Sequence, residues 1–380
     1  MKLTAEQQFI VTCSKARLND ADRAWLKQHT QAGLDWREVL HQAVAHRTLN
    51  LITHHLRELE VFGSLERDLC NLMELHRLAI ASRNRSYIGE LRVIAREFEK
   101  VGVKAALVKG GLLASTLYPS IETRYFNDLD FVVNIKDVTP ITAALERVGY
   151  VQGQFDAKNH AIVAATRRQK IFHQTSSHEL QEFLKLSDHP LVPVIEVDIN
   201  HSILWVGNCP YSISTEQLIS RAVKADMGDD PIYRLDMEDA LLQLSSHLFR
   251  EATILHWISE GRDLKIYKFA DIYSYVDRFG PQIDWKKFVA TVIEHNLQKV
   301  AYYPFHFVNE LYGQTIPAEV MTALAPSDLG FLEEYAIEGS APKRWKLGFA
   351  ERLFDQARKS EAFGANDAKP GAFDRMKEAL

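Results

Sequence analysis

Residues 109–133 read KGGLLASTLYPSIETRYFNDLDFVV, and the reading of the whole chain turns on this stretch. Asp128 and Asp130 stand two apart where an apolar run begins. Residues i and i+2 of a strand point to one side, so the spacing predicts two carboxylates on one face of a strand starting near Phe126. Like charges that close repel unless a cation neutralises them. Mg²⁺, with Mn²⁺ as a substitute, prefers hard oxygen ligands and combines a few carboxylates with substrate phosphates. Two ions held this way serve an in-line phosphoryl displacement. A solvated Asp-x-Asp is common, however, so the pair alone does not establish a metal site.

The upstream residues add to it. Gly110 and Gly111 lie between an apolar run, VKAALV, and a helical segment, LLASTLY. Glycine permits close backbone approach, and amides at a helix start attract phosphate oxygens. Lys109 and Arg124 place positive charge on either side, as a triphosphate requires. A third acid is expected in VIEVDINH (194–201), where Glu196 and Asp198 alternate on a second strand. An acid among apolar strand residues is costly to bury without a partner, and a shared metal is such a partner. Asp198 is the first choice and Glu196 the fallback. Asp198 is also suited to orienting the incoming nucleophile or removing its proton.

Gly-Gly, then Asp-x-Asp at a strand start, then a lone acid on a later strand resembles the DNA polymerase β nucleotidyltransferase superfamily. VKGG, LYPSIETRYFNDLDFVV, EVDINHSI, ALLQLSSHLFRE and DLKIYKFADI look more closely like the uncharacterised bacterial nucleotidyltransferase family. The resemblance spans most of residues 95–315 and maps the family's turn and R-x-x-x-D-x-D element onto Lys109, Gly110, Arg124, Asp128 and Asp130. It implies an α+β fold: a polymerase β-like core, a small mixed sheet with helices, flanked by N-terminal and C-terminal helical regions. It also implies that the later helical region closes over the nucleotide, which would bring Lys265 or Lys268 to phosphate. Family members often carry His two residues after the third acid. Here Asn200 stands there, with His201 next, which leaves the role of residue 200 open.

Outward from this core, WREVLHQAVAHRTLNLITHHL and the long segment beginning LCNLMELHRLAI show apolar residues at helical intervals, with Gly102 as a stop. VTPITAALERVGYV reads as a helix with Pro140 near its start and Gly149 past its end. Strands and loops are expected over 150–190. Helical texture returns from about 235 in MEDALLQLSSHLFREA, DLKIYKFADIYSYVDRF, WKKFVATVIEHNLQKVAYYPFHFVNELYG and FLEEYAIEG. The resulting division is 1–98 helical, 99–225 nucleotidyltransferase core, 226–355 helical, and 356–380 a loosely held polar tail.

Composition narrows the function. The 380 residues are 46% hydrophobic and 25% charged, with a net charge of −5, ordinary for a globular protein. No basic stripe stands out, which argues against nucleic acid and against RNA tailing. Three scattered cysteines, Cys13, Cys70 and Cys209, form no C-x-x-C pair and fit a reducing cytoplasm. No signal-like or membrane-spanning apolar run occurs. The 15 histidines show no H-E-x-x-H, and G-x-S-x-G, G-x-G-x-x-G and the P-loop pattern are absent. His247, Glu251, Asp271, Lys265 and Lys268 are favoured as solvated or structurally paired, and Trp205, Trp257, Trp285 and Trp345 as core or interface residues. The expected function is Mg²⁺-dependent transfer of a nucleoside monophosphate from an NTP, with ATP as the default, to an acceptor in natural-product or polysaccharide biosynthesis, a small molecule, sugar or peptide/protein, with release of pyrophosphate. The competing expectation is a non-catalytic nucleotide-binding or protein-interaction module of toxin–antitoxin type, for which loss of one carboxylate would be the mark.

Overall fold

The computed structural model describes residues 2–204, 213–336, 341–355, 357, 358 and 362. Trp205, Cys209 and nearly all of the expected tail lie outside the described residues. The chain forms two compact units, one of residues 74–240 and the other of residues 1–73 with 241–380.

Among the described residues the first unit holds a mixed eight-stranded sheet. Its strands are β1 (Ala106–Val108), β2 (Leu129–Val132), β3 (Val151–Asp156), β4 (Ala161–Ala164), β5 (Phe183–His189), β6 (Val192–Asn200), β7 (Val223–Lys224) and β8 (Tyr233–Arg234). Their spatial order is β4-β3-β5-β6-β2-β1-β8-β7. Strand β2 therefore lies inside the sheet, antiparallel to β1 and parallel to β6. The observed architecture is a mixed sheet with helices, in accord with an α+β class.

Alternation along the strands separates core from site. Leu107, Leu129, Phe131, Val133, Ile195, Val197 and Ile199 enter one apolar cluster, with Leu91, Ile94 and Phe98 from the helix Arg67–Lys100 and Ile141 and Leu145 from the helix Val138–Arg147. The period of two then turns Asp130, Glu196 and Asp198 to the other face. Strand β2 begins at Leu129 rather than near Phe126, so Asp128 immediately precedes it.

The helix Arg67–Lys100 runs as one piece through residue 98, where the sequence reading set a boundary. It closes near Gly102, whose φ of +67° glycine adopts without a Cβ penalty. Its second half joins the sheet's core, which is why the compact units divide at residues 73 and 74 instead. The expected boundary at 225 likewise falls inside the first unit, because β7 and β8 extend the sheet to Arg234.

The second unit is mainly helical. WREVLHQAVAHRTLNLITHHL forms two helices, Trp36–Ala45 and Leu49–Glu58, preceded by Ala5–Cys13 and Asp20–Ala32. Asn19 caps the second of these in a reciprocal box with Asp22. Later helices include Ile266–Phe279, Trp285–Glu294 and Gln298–Tyr312. In FLEEYAIEG, residues 331–336 depart from the helical expectation and 337–339 lie outside the described residues. Gly330–Glu333 is a single 3₁₀ turn, and β9 (Glu334–Tyr335) pairs antiparallel with β10 (Lys343–Arg344). Ala336 bridges to Ile254, so strand partners compete successfully with a short, weakly patterned helix. No described helix is long and apolar enough to cross a membrane.

Candidate functional site

The site forms where β1, β2 and β6 run side by side. Asp130 on β2 lies opposite Val108 on β1 and opposite Asp198 on β6. Lys109, the next residue after Val108, consequently meets Asp130: its Nζ lies 2.5 Å from the carboxylate Oδ1. Lys109 adopts φ +54°, the left-handed region that costs a residue with a Cβ roughly 1–2 kcal/mol. This strand-to-helix corner turns the lysine back toward β2 as the chain enters the helix Lys109–Thr116.

Four further carboxylates surround this pair. Burial pushes the Asp198 carboxyl well above its usual range, and Glu179, Glu196, Asp130 and Asp128 push it the same way. Glu179 reaches the group because its backbone bridges to Asn200 at the end of β6. Its carboxylate lies 3.3 Å from Nε2 of His178, a buried ring. Sequence reasoning missed Glu179, since no alternation or motif marks it; only the bridge to Asn200 brings it in. Asn200 is accounted for structurally, its side-chain amide donating to the Phe131 carbonyl at 3.3 Å.

The loop leading into β2 is held from the helix Arg67–Lys100. Asn84, fully buried, donates to the carbonyls of Ile121 and Arg124 at 2.6 and 3.0 Å. Arg83 donates to the Phe126 carbonyl at 2.5 Å and stacks on Tyr87 and Tyr125. The Tyr87 hydroxyl donates to the Asn127 carbonyl at 2.6 Å. Arg77 pairs with Glu122 at 3.0 Å. Arg124 is itself buried, its guanidinium donating to the Tyr125 carbonyl.

The glycines have an internal reason. A Cβ on Gly110 would sit 2.4 Å from Cβ of Phe126, and one on Gly111 would sit 3.2 Å from Leu129 Cδ2. The helix Lys109–Thr116 thus lies directly against the loop and strand that carry the aspartates. The close approach that requires glycine at 110 is to Phe126.

Lys265 and Lys268 lie in the other unit. Lys268 is buried, its ammonium committed to Glu251 and to the Arg262 carbonyl. Glu251 also faces His247 at 3.4 Å and Arg262 at 3.5 Å, so Lys268 and this group are structurally paired. Lys265 is the N-cap residue of the helix Ile266–Phe279, and burial lowers its amine to about 8.

The donor set suits a hard cation: Asp128, Asp130 and Asp198 offer carboxylate oxygens, and burial with like charges disfavours Asp198 as a bare anion. Among the described residues the three do not draw within 4.8 Å of one another, as mutual repulsion and the pull of Lys109 on Asp130 would have it. Lys109, Gly110 and Gly111 follow β1 directly, and Arg124 lies in the loop that leads into β2. No curated protein and no solved structure matches the chain. Residues 32–313, reaching across both units, match the uncharacterised nucleotidyltransferase family, and with most of its length covered the chain belongs to that family of enzymes.

Proposed function

We propose that the chain transfers a nucleoside monophosphate from an NTP to an acceptor oxygen and releases pyrophosphate, and that the acids Asp128, Asp130 and Asp198 are its catalytic group. The observation that carries this reading is the register pairing of Asp130 with Asp198 on parallel strands, with Asp128 one step outside and Lys109 at the end of the adjoining strand.

Asp128, Asp130 and Asp198 would hold Mg²⁺ or Mn²⁺, which when bound lowers the acceptor's pKa and neutralises the phosphates. The amides of Gly110 and Gly111, in the first turn of a helix, donate toward phosphate oxygens. Lys109, at the end of β1 and against Asp130, would supply positive charge to the triphosphate. Arg124, in the loop that leads to Asp128, would contribute positive charge toward the triphosphate. The acceptor oxygen attacks the α-phosphorus, the bond to the β,γ-diphosphate breaks, and the acceptor's proton passes to a carboxylate oxygen of Asp198. Pyrophosphate carries away the displaced charge. The acceptor class is a small molecule, sugar or peptide/protein, and ATP is the first nucleotide to test. All three carboxylates are present, which favours this reading over a non-catalytic module.

Thermal melts with each NTP, in Mg²⁺ and in Mn²⁺, test the binding half. A ligand at 100 times its Kd stabilises by about 2.7 kcal/mol, an easily read shift, and Asp128→Asn should abolish it. Transfer of label from α-labelled NTP then reads the chemistry. If no NTP shifts the wild-type melt in either metal, the catalytic assignment falls.

A further inference from the structure

The helix Leu49–Glu58 carries a second, unrelated group of donors. Among the described residues, His54, His55 and Glu58 are the one trio of histidine, cysteine or acidic residues whose ligand atoms all lie within 4.8 Å of one another. Helical spacing explains the grouping: Glu58 follows His54 by four residues and His55 by three, so it sits one turn above both.

The surroundings prepare these side chains. His55 is 1% exposed, and its Nε2 lies 2.8 Å from the Lys15 carbonyl. A carbonyl only accepts, so that bond places the ring proton on Nε2 and leaves a lone pair on Nδ1. Nδ1 is buried and has no hydrogen-bond partner among the described residues. An imidazole whose other nitrogen donates to a backbone carbonyl is the common arrangement of a metal-bound histidine. Glu58 is oriented likewise: Oε2 lies 3.3 Å from the Arg23 guanidinium, while Oε1 faces His54 Nε2 at 3.9 Å.

We propose that His54, His55 and Glu58 form a binding site for a borderline transition cation of the Zn²⁺ type, separate from the carboxylate site. Two imidazoles and one carboxylate match the donors such an ion takes, and the half-exposed Glu58 leaves its fourth position to water. The ion ties the helix Leu49–Glu58 to the turn at Lys15 through His55 and to the helix Asp20–Ala32 through Glu58 and Arg23.

The test titrates metal-stripped full-length protein with Zn²⁺ against a chromophoric chelator, in millimolar Mg²⁺ to fill hard-oxygen sites. Co²⁺ serves as a spectroscopic probe of imidazole ligation. Wild type should take up one Zn²⁺, with a raised melting temperature. His54→Gln and Glu58→Gln, at partly exposed positions, should each weaken uptake about 10-fold or more while melting as wild type in chelator. Asp130→Asn should retain the ion. The proposal is overturned if wild type takes up no Zn²⁺, if both helix variants bind as wild type does, or if Asp130→Asn abolishes uptake.

Discussion

At Lys109 and Asp198 the same cluster of charge acts with opposite sign. Asp130 is buried and has the Lys109 ammonium against it. Lys109→Met keeps the length of the side chain but strips that carboxylate of its counter-charge, a loss of about 1–3 kcal/mol, and should also weaken NTP binding. Asp198 has carboxylates around it and burial against it. Its folded carboxyl holds a proton more tightly than the unfolded chain does, so its contribution to stability falls as pH rises above the unfolded value of 3.8. Asp198→Asn should therefore melt at or above wild type without metal, most clearly at alkaline pH, and lose transfer. Paired melts and transfer assays of the two variants check this. Equal destabilisation by both would contradict the charge arrangement described here.

At the scale of elements, the helix Arg67–Lys100 does two things at once. Leu91, Ile94 and Phe98 pack on the sheet, while Arg83, Asn84 and Tyr87 donate to four carbonyls of the loop that ends at Asp128. A loop with its carbonyls satisfied from one rigid helix keeps a single position, which is what aligned reacting groups need. Asn84→Ala leaves the Ile121 and Arg124 carbonyls without their donor and should cost about 1–3 kcal/mol. Because the loop places Asp128, kcat should fall more than NTP affinity does. A variant that melts lower yet turns over like wild type would show that the loop is positioned by something else.

For the molecule as a whole, the buried histidines set the response to acid. His55 has its pKa lowered from 6.5 to about 4 by burial. Between those values the unfolded chain binds the extra proton, so stability is fully present above pH 6.5 and is lost as pH falls toward 4. The difference is worth about 3 kcal/mol, and His46, fully buried with its pKa also lowered, adds in the same direction. Metal-free melts from pH 7.5 to 4 should decline steeply across this window. A His55→Gln variant whose stability falls from pH 6.5 to 4.5 as steeply as wild type's would show that protonation of this ring is not the cause.

Much of the candidate site's layout was legible because its signals are local. Alternation put Asp128 and Asp130 at a strand start and Asp198 on a second strand; apolar periodicity marked the long helix and Gly102 its stop. The rest depends on pairing between distant segments. Nothing at Lys109 announces that β1 lies beside β2, so its bond to Asp130 could not be read from spacing. Glu179 enters through a bridge to Asn200, and Arg83, Asn84 and Tyr87 look like the solvated face of a helix until a loop of bare carbonyls is laid against them. The glycines were noticed for the ligand that glycine admits, whereas Phe126 is what a side chain at 110 would strike. By itself the sequence determined which residues carry charge and which strands alternate, since period and side-chain chemistry are properties of neighbours along the chain. Which charges meet was decided only by the tertiary structure, because strand register and helix packing are set by burying apolar surface far from the acids themselves.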